Sequence, residues 1–166
     1  MESLKHILIF AETSGNKVKN VTYEILGHLS SHNTEVVLTE KISEECQNEL
    51  SKFGAKKITT LKNEKIKQYS PEGYTTALKN FIKSGNYDYF FTGATSIGKD
   101  FVPRLAGAFN SGLASDVLSF ILDDNGFKGV RALFAGKCLA DVQIQGPRPH
   151  FISVRLGDRS RFLSDV

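Results

Sequence analysis

Tryptophan is absent from this sequence, methionine appears once and cysteine twice. Cys46 and Cys138 stand far apart and neither belongs to a CxxC pair, which excludes a disulfide framework and the spacing of an iron–sulfur cluster. The apolar runs are strand-sized, too short to cross a bilayer. Met1 to Phe10 lacks the charged-then-apolar layout of a signal peptide, so a cytoplasmic protein is expected. Charge of one sign is also missing: the formal net charge is +3, too little to indicate nucleic acid. Neither HExxH nor GxSxG occurs, and no acid–base or nucleophile pair stands out, so no enzyme activity is expected. His28 and His32 are four residues apart on a predicted helix but have no third ligand in view. They read as helix-surface histidines rather than zinc ligands. One-electron chemistry needs a flavin, haem, cluster or copper, and any such group would have to be held mainly outside this chain.

What is present is an ordinary globular composition, 40% hydrophobic and 23% charged over 166 residues. A chain of this size forms one domain and buries roughly two-thirds of the surface its unfolded form exposes. Twelve phenylalanines give the core an aliphatic and phenyl character. From Lys128 onward seven basic residues (Lys128, Arg131, Lys137, Arg148, Arg155, Arg159, Arg161) outweigh three acids. Two readings of that basic tail stand, a partner-facing surface and a solvated edge.

The order of elements is legible from periodicity. His6 to Ala11 is a continuous apolar run, as suits a strand buried on both faces of a parallel sheet. Val18, Val21, Ile25 and Leu29 recur at helical spacing. Glu35 to Glu40 reads as a second strand. Ile42, Cys46, Leu50 and Phe53 form a second helix stopped by Gly54. Lys57 to Leu61 reads as a third strand. Ser70 and Pro71 cap and open a third helix that ends at Gly85. Tyr87 to Gly93 is a fourth strand. It leads into a fourth helix with Phe101, Val102, Leu105, Ala106 and Phe109 on one face, which the awkward Pro103 predicts to begin near Lys99 or Asp100. After Gly112 the rhythm becomes strand and turn, with a hairpin signal at Asn125-Gly126. The expected fold is α/β: a three-layer, doubly wound, mainly parallel sheet with a β-rich antiparallel C-terminal extension at one edge.

In such sheets ligands sit beyond the carboxyl ends of the strands at the switch in strand order. Two loops qualify. The first holds Glu12, Thr13, Ser14 and Asn16. There Thr13 or Ser14 is expected to cap the first helix, with contact to a ribose or base as the other reading. The second is Thr92, Gly93, Ala94, Thr95, Ser96, Ile97, Gly98 and Lys99. Its glycines, hydroxyls and lysine before a helix are the ingredients of a phosphate cradle. The spacing fits GxxxxGK, but Asp100 stands where a P-loop needs Ser or Thr, so a Walker-type site is not expected. The plain reading of both loops is a strand-to-helix turn.

The arrangement of Ala11-Glu12, Gly93 to Lys99, Pro103-Arg104, Ser115-Asp116, Arg131 with Ala135-Gly136, and Val154-Arg155 resembles the alpha subunit of electron-transfer flavoproteins, specifically its amino-terminal domain. That resemblance covers nearly the whole chain. It implies an adenine nucleotide alpha hydrolase-like α/β fold over residues 1–157, with residues 158–166 as the start of a linker to an FAD-binding domain absent from this sequence. It implies FAD in the full-length subunit, none in this portion, and a beta subunit as partner. The function implied is a scaffold and partner-binding domain supporting electron transfer from flavin dehydrogenases. On this reading Glu12, Thr13, Thr92, Gly93, Ala94, Ser96, Gly98 and Lys99 are vestigial nucleotide loops. The alternative is a stand-alone adenine-nucleotide-binding module that takes AMP or ATP at the same loops.

Overall fold

The structure is a computed structural model and describes residues 4–155 and Gly157. The proposed linker at 158–166, with Arg159 and Arg161 of the basic tail, lies outside the described residues. The strands are β1 (His6–Phe10), β2 (Thr13–Ser14), β3 (Lys17–Val18), β4 (Asn33–Leu38), β5 (Lys57–Thr60), β6 (Tyr89–Gly93), β7 (Leu113–Asp123), β8 (Gly126–Leu133), β9 (Cys138–Gln143) and β10 (His150–Val154). The helices are α1 (Asn20–Leu29), α2 (Glu44–Lys52), α3 (Pro71–Ser84) and α4 (Ser96–Ala108). All but the β2–β3 ribbon join one eight-stranded sheet, ordered β5-β4-β1-β6-β10-β7-β8-β9. From β5 to β7 every pairing is parallel, and β7–β8 and β8–β9 are antiparallel.

The apolar runs explain the centre of this sheet. Ile7, Leu8, Ile9, Phe90, Phe91, Phe151 and Ile152 are fully buried, because helices or strands cover both faces. Their alternation divides the core in two. Ile7, Ile9, Phe91 and Ile152 face α1 and α2, whereas Leu8, Phe10, Phe90 and Phe151 face α3 and α4. Local chemistry sets the helix starts. The Ser43 hydroxyl accepts from the Cys46 N–H at 3.2 Å, and Ser70 accepts from Gly73 at 3.1 Å with Pro71 in the first turn. One buried acid ties the strands laterally. Glu35 accepts from Tyr87 Oη and Thr59 Oγ1, each at 2.7 Å, and pairs with Lys57 Nζ at 2.9 Å. Burial works against its ionised form, but those three donors outweigh it and hold its carboxyl below the usual range.

The antiparallel extension is present, with two differences from expectation. The last strand, β10, does not lie at the edge but is inserted between β6 and β7, parallel to both. The antiparallel strands also turn onto the α1 side of the sheet. The β7 register slips between Val117 and Ser119, and beyond it Phe120 and Phe127 lie 5.1 and 6.3 Å from the Phe91 ring. The hairpin turn is Asp124-Asn125, with Asp123 opposite Gly126. Gly126 supplies the positive φ of 103° that follows it.

Helix boundaries differ at α1, at α4 and at α2, where Ile42 lies before the Ser43 cap and Phe53 follows the last turn. α1 begins at Asn20 rather than Val18, because Val18 pairs with Thr13 in the small ribbon. α4 begins at Ser96, since the Thr95 hydroxyl caps Gly98, and Pro103 lies inside the helix. His32 is not a helix-surface residue: it follows the end of α1 and is buried.

Candidate functional site at the strand switch point

Strand order reverses between β1 and β6. The chain proceeds from β1 outward through β4 to β5, then returns to β6 on the other side of β1. The loops leaving β1 and β6 therefore meet at the carboxyl edge, where a ligand of this architecture is expected.

Glu12 is the first side chain past that edge to reach across it. Its carboxylate takes the Lys19 ammonium on one oxygen and the Thr95 hydroxyl on the other. The Thr95 oxygen in turn accepts from the Gly98 N–H at 3.0 Å, so Thr95 serves both as helix cap and as donor to Glu12. Thr13 does not cap α1, and neither does Ser14. They form the β2–β3 ribbon, and Thr13 donates to Glu40 at 2.7 Å. The residue before α1 is Lys19, whose side chain makes no capping bond. The reason is distance along the chain: the ribbon, turning at Gly15 (φ 61°), separates these hydroxyls from the helix start.

The phosphate-cradle residues are accounted for by packing. Thr92 is buried within β6. A Cβ on Gly93 would lie 2.6 Å from Val21 Cγ1, and one on Gly98 would lie 2.0 Å from the Gly93 carbonyl oxygen. Both glycines are thus required for α1 and α4 to approach the strand. Ala94 donates its N–H to the Val154 carbonyl at 2.7 Å, and Ser96 is exposed. Lys99 turns away from the loop to Asp116, at 3.2 Å. Asp116 is also held by Arg155 through two nitrogens, with Nε to Oδ1 at 2.9 Å. The guanidinium first, and Lys99 beside it, hold the Asp116 carboxyl below its ordinary value against the cost of burial, and the Arg155 pKa rises in response. Asp116 sits at φ 60°, a left-handed conformation Asp tolerates better than most residues, and its N–H donates to Ser153 Oγ at 2.9 Å.

The model of the family described as "Electron transfer flavoprotein domain" matches residues 7–158. The chain belongs to the electron-transfer flavoprotein family. It is 32% identical over 172 residues to the electron transfer flavoprotein subunit alpha of Thermoanaerobacterium thermosaccharolyticum, covering 99% of this chain and 52% of that one. It is 29% identical over 167 residues to the subunit alpha of Bacillus subtilis, covering 95% and 51%. It is also similar to the lactate dehydrogenase (NAD(+),ferredoxin) subunit LctC of Acetobacterium woodii, at 25% over 156 residues, covering 90% and 37%. The chain thus spans about half the length of the first two relatives.

The fold gives several of the scattered motifs a common location. Ala11-Glu12, Gly93 to Lys99, Ser115-Asp116 and Val154-Arg155 converge on this edge as two linked clusters, Lys19–Glu12–Thr95 and Lys99–Asp116–Arg155. Lys19 escaped the sequence reading. Its one signal was a cation at a helix start, where the macrodipole disfavours it unless an anion lies beside it.

Two concavities test whether a flavin, the family's cofactor, fits this chain. The first, about 450 Å³, lies between the clusters and is lined by Lys19, Asn20, Val21, Ala94, Thr95, Val154 and Arg155. No ring lines it, and both of its cations are already paired with carboxylates. The second, about 760 Å³, runs between α1 and α2 past Tyr23, Phe53 and His28, but the carboxylates of Glu24 and Glu49 face it. Tyr23 donates to Glu49 at 3.2 Å, and burial together with that carboxylate pushes its hydroxyl up to about 12. A flavin dinucleotide needs an apolar wall for its ring system and unpaired donors for its diphosphate. Neither of these two cavities offers both. Among the described residues no group of three or more His, Cys, Asp or Glu is placed to hold a metal ion, and no helix is long and apolar enough to cross a membrane.

Proposed function

We propose that this chain is the scaffold and partner-binding unit of an electron-transfer flavoprotein alpha subunit, with FAD held mainly by residues beyond it. The observation that carries this reading is the closed state of the switch point. Every charged group lining that cleft is satisfied by another group of the same chain. Three of the five large apolar side chains exposed among the described residues lie elsewhere, on the outward face and tip of the antiparallel unit, the other two being Leu4 and Phe53. Ile121, Leu139 and Phe134 are 65%, 52% and 78% exposed there. Alternation along β7 and β9 places Ile121 and Leu139 on the face turned away from Phe120 and Val142. Phe134 stands at the β8–β9 connection, where Phe134, Ala135 and Gly136 are all left-handed, at φ 49°, 57° and 85°. Leu139 and Phe134 lie at one end of this unit, with Leu139 opposite Ala132, and Ile121 lies nearer the β7–β8 turn, opposite Lys128. We read this apolar face and tip as a protein–protein surface, and the family's beta subunit is the partner we assign to it. On this reading residues 1–157 are the folded unit, 158–166 lead toward the flavin-binding portion, and the compartment is cytoplasmic.

The test is analytical ultracentrifugation of this chain with a family beta subunit, alongside calorimetric titration with AMP. A one-to-one complex that is lost in the triple variant I121S/F134S/L139S, with AMP giving no heat, is the expected result. Micromolar AMP binding by the wild-type chain would overturn the scaffold reading in favour of a nucleotide-binding module.

A further inference from the structure

We propose that Glu12 is a built-in anion that closes the switch-point cleft to phosphate-bearing ligands, keeping the shape of a nucleotide site while excluding its occupant. The inference rests on the scaffold reading above and names the residue responsible for it. The Glu12 carboxylate is largely buried and receives a cation on one oxygen and a hydroxyl on the other. Its neighbours are the attributes of an anion site. Lys19 immediately precedes the ten-residue helix α1, and Thr95 caps the thirteen-residue helix α4, so two positive helix ends and an ammonium surround one carboxylate.

A separate observation leads to the same group. The side chain before α1 makes no capping bond, and it is a lysine. A cation at a helix start opposes the macrodipole, so the position requires a partner of negative charge, and Glu12 provides it from inside the chain. The other cation lining the cleft, Arg155, is committed to Asp116, as is the nearby Lys99. An incoming phosphate would therefore approach two carboxylates and find both lining cations already paired. In a phosphate-binding relative of this architecture the ligand itself would supply the negative charge that Glu12 supplies here.

Calorimetric titration of the full chain with inorganic phosphate and with AMP tests this, in the wild type, E12Q, E12D and E12Q/K19M. The glutamine keeps the shape of the side chain and its hydrogen bond to Thr95 while removing the charge. E12Q is expected to bind both ligands about a hundredfold more tightly than the wild type, the effect of deleting one like charge a few ångströms away at intermediate dielectric. E12D, which keeps the charge, is expected to stay silent. E12Q/K19M is expected to lose the gain, since the freed ammonium is the group that would hold the phosphate. Circular dichroism establishes that each variant is folded, and Glu12→Ala reads the same quantity if E12Q is not. Silence of a folded E12Q, or an equal gain in E12D, overturns the role of Glu12 and leaves the scaffold reading standing. Tight AMP binding by the wild type overturns both.

Discussion

Gly98 sets how closely α4 can approach the end of β6. A Cβ there would lie 2.0 Å from the Gly93 carbonyl oxygen, a backbone atom that no rotamer change can move aside. Gly98→Ala is therefore expected to cost about 3 kcal/mol through forced displacement of the helix, read as a lower urea midpoint at unchanged m-value. Gly107 is the control within the same helix. A Cβ there meets nothing within 4 Å, so Gly107→Ala should stabilise by about 0.5–1 kcal/mol through helix propensity and unfolded-chain entropy. Equal effects at the two positions would refute the close-packing account. This pair also explains why the Gly93-to-Lys99 loop was ambiguous in the sequence. Glycine serves equally for the approach of a phosphate and for the approach of the chain's own backbone, and residue type alone does not separate the two. What separates them is the neighbour, here Val21 and the Gly93 carbonyl, which only the fold supplies.

At the scale of elements, Asp116 joins three of them. It lies in β7, takes Lys99 from α4, and takes Arg155 from the residue after β10. Its carboxyl is held below the ordinary value of 3.8, chiefly by Arg155. A depressed folded-state pKa contributes stability that is complete above the unfolded-state value and lost as pH falls through the folded one. Asp116→Asn should therefore cost about 1.5 kcal/mol near neutrality, the worth of a charge-assisted hydrogen bond. The gap to wild type should close as pH drops below about 4, the value of an unperturbed Asp. Urea titrations at several pH values read this directly, and a gap unchanged down to pH 2.5 would remove Asp116 as the source. The sequence showed most of the elements around this clamp, because the buried strands β1, β4 and β6 are apolar runs and α1 to α4 carry apolar faces at helical spacing. It did not show the clamp, whose members are far apart in the chain. Nor did it show the β2–β3 ribbon, since two-residue strands have no period, and Pro103 drew the start of α4 several residues too late.

For the whole molecule, the decisive feature is that the last described strand is a central one. β10 separates β6 from β7, so among the described strands the antiparallel unit joins the ladder of the rest through it. It also contributes to both cores: Phe151 to the α3–α4 side, Ile152 and Val154 to the α1–α2 side. The sequence showed a strand-and-turn rhythm after Gly112 but not the place of this strand, because strand order depends on partners and not on a strand's own pattern. Removing it would withdraw three buried apolar side chains, roughly 6 kcal/mol of burial, against a total stability of about 5–15 kcal/mol for a domain. It would also leave two parallel ladders without their shared partner. A chain ending at Pro149 is therefore expected to lose cooperative thermal unfolding altogether, while one ending at Gly157 keeps it. Differential scanning calorimetry of the two distinguishes them. A sharp transition in the shorter chain would mean that β6 and β7 can pair directly, and that β10 is an addition to the sheet rather than the strand that completes it.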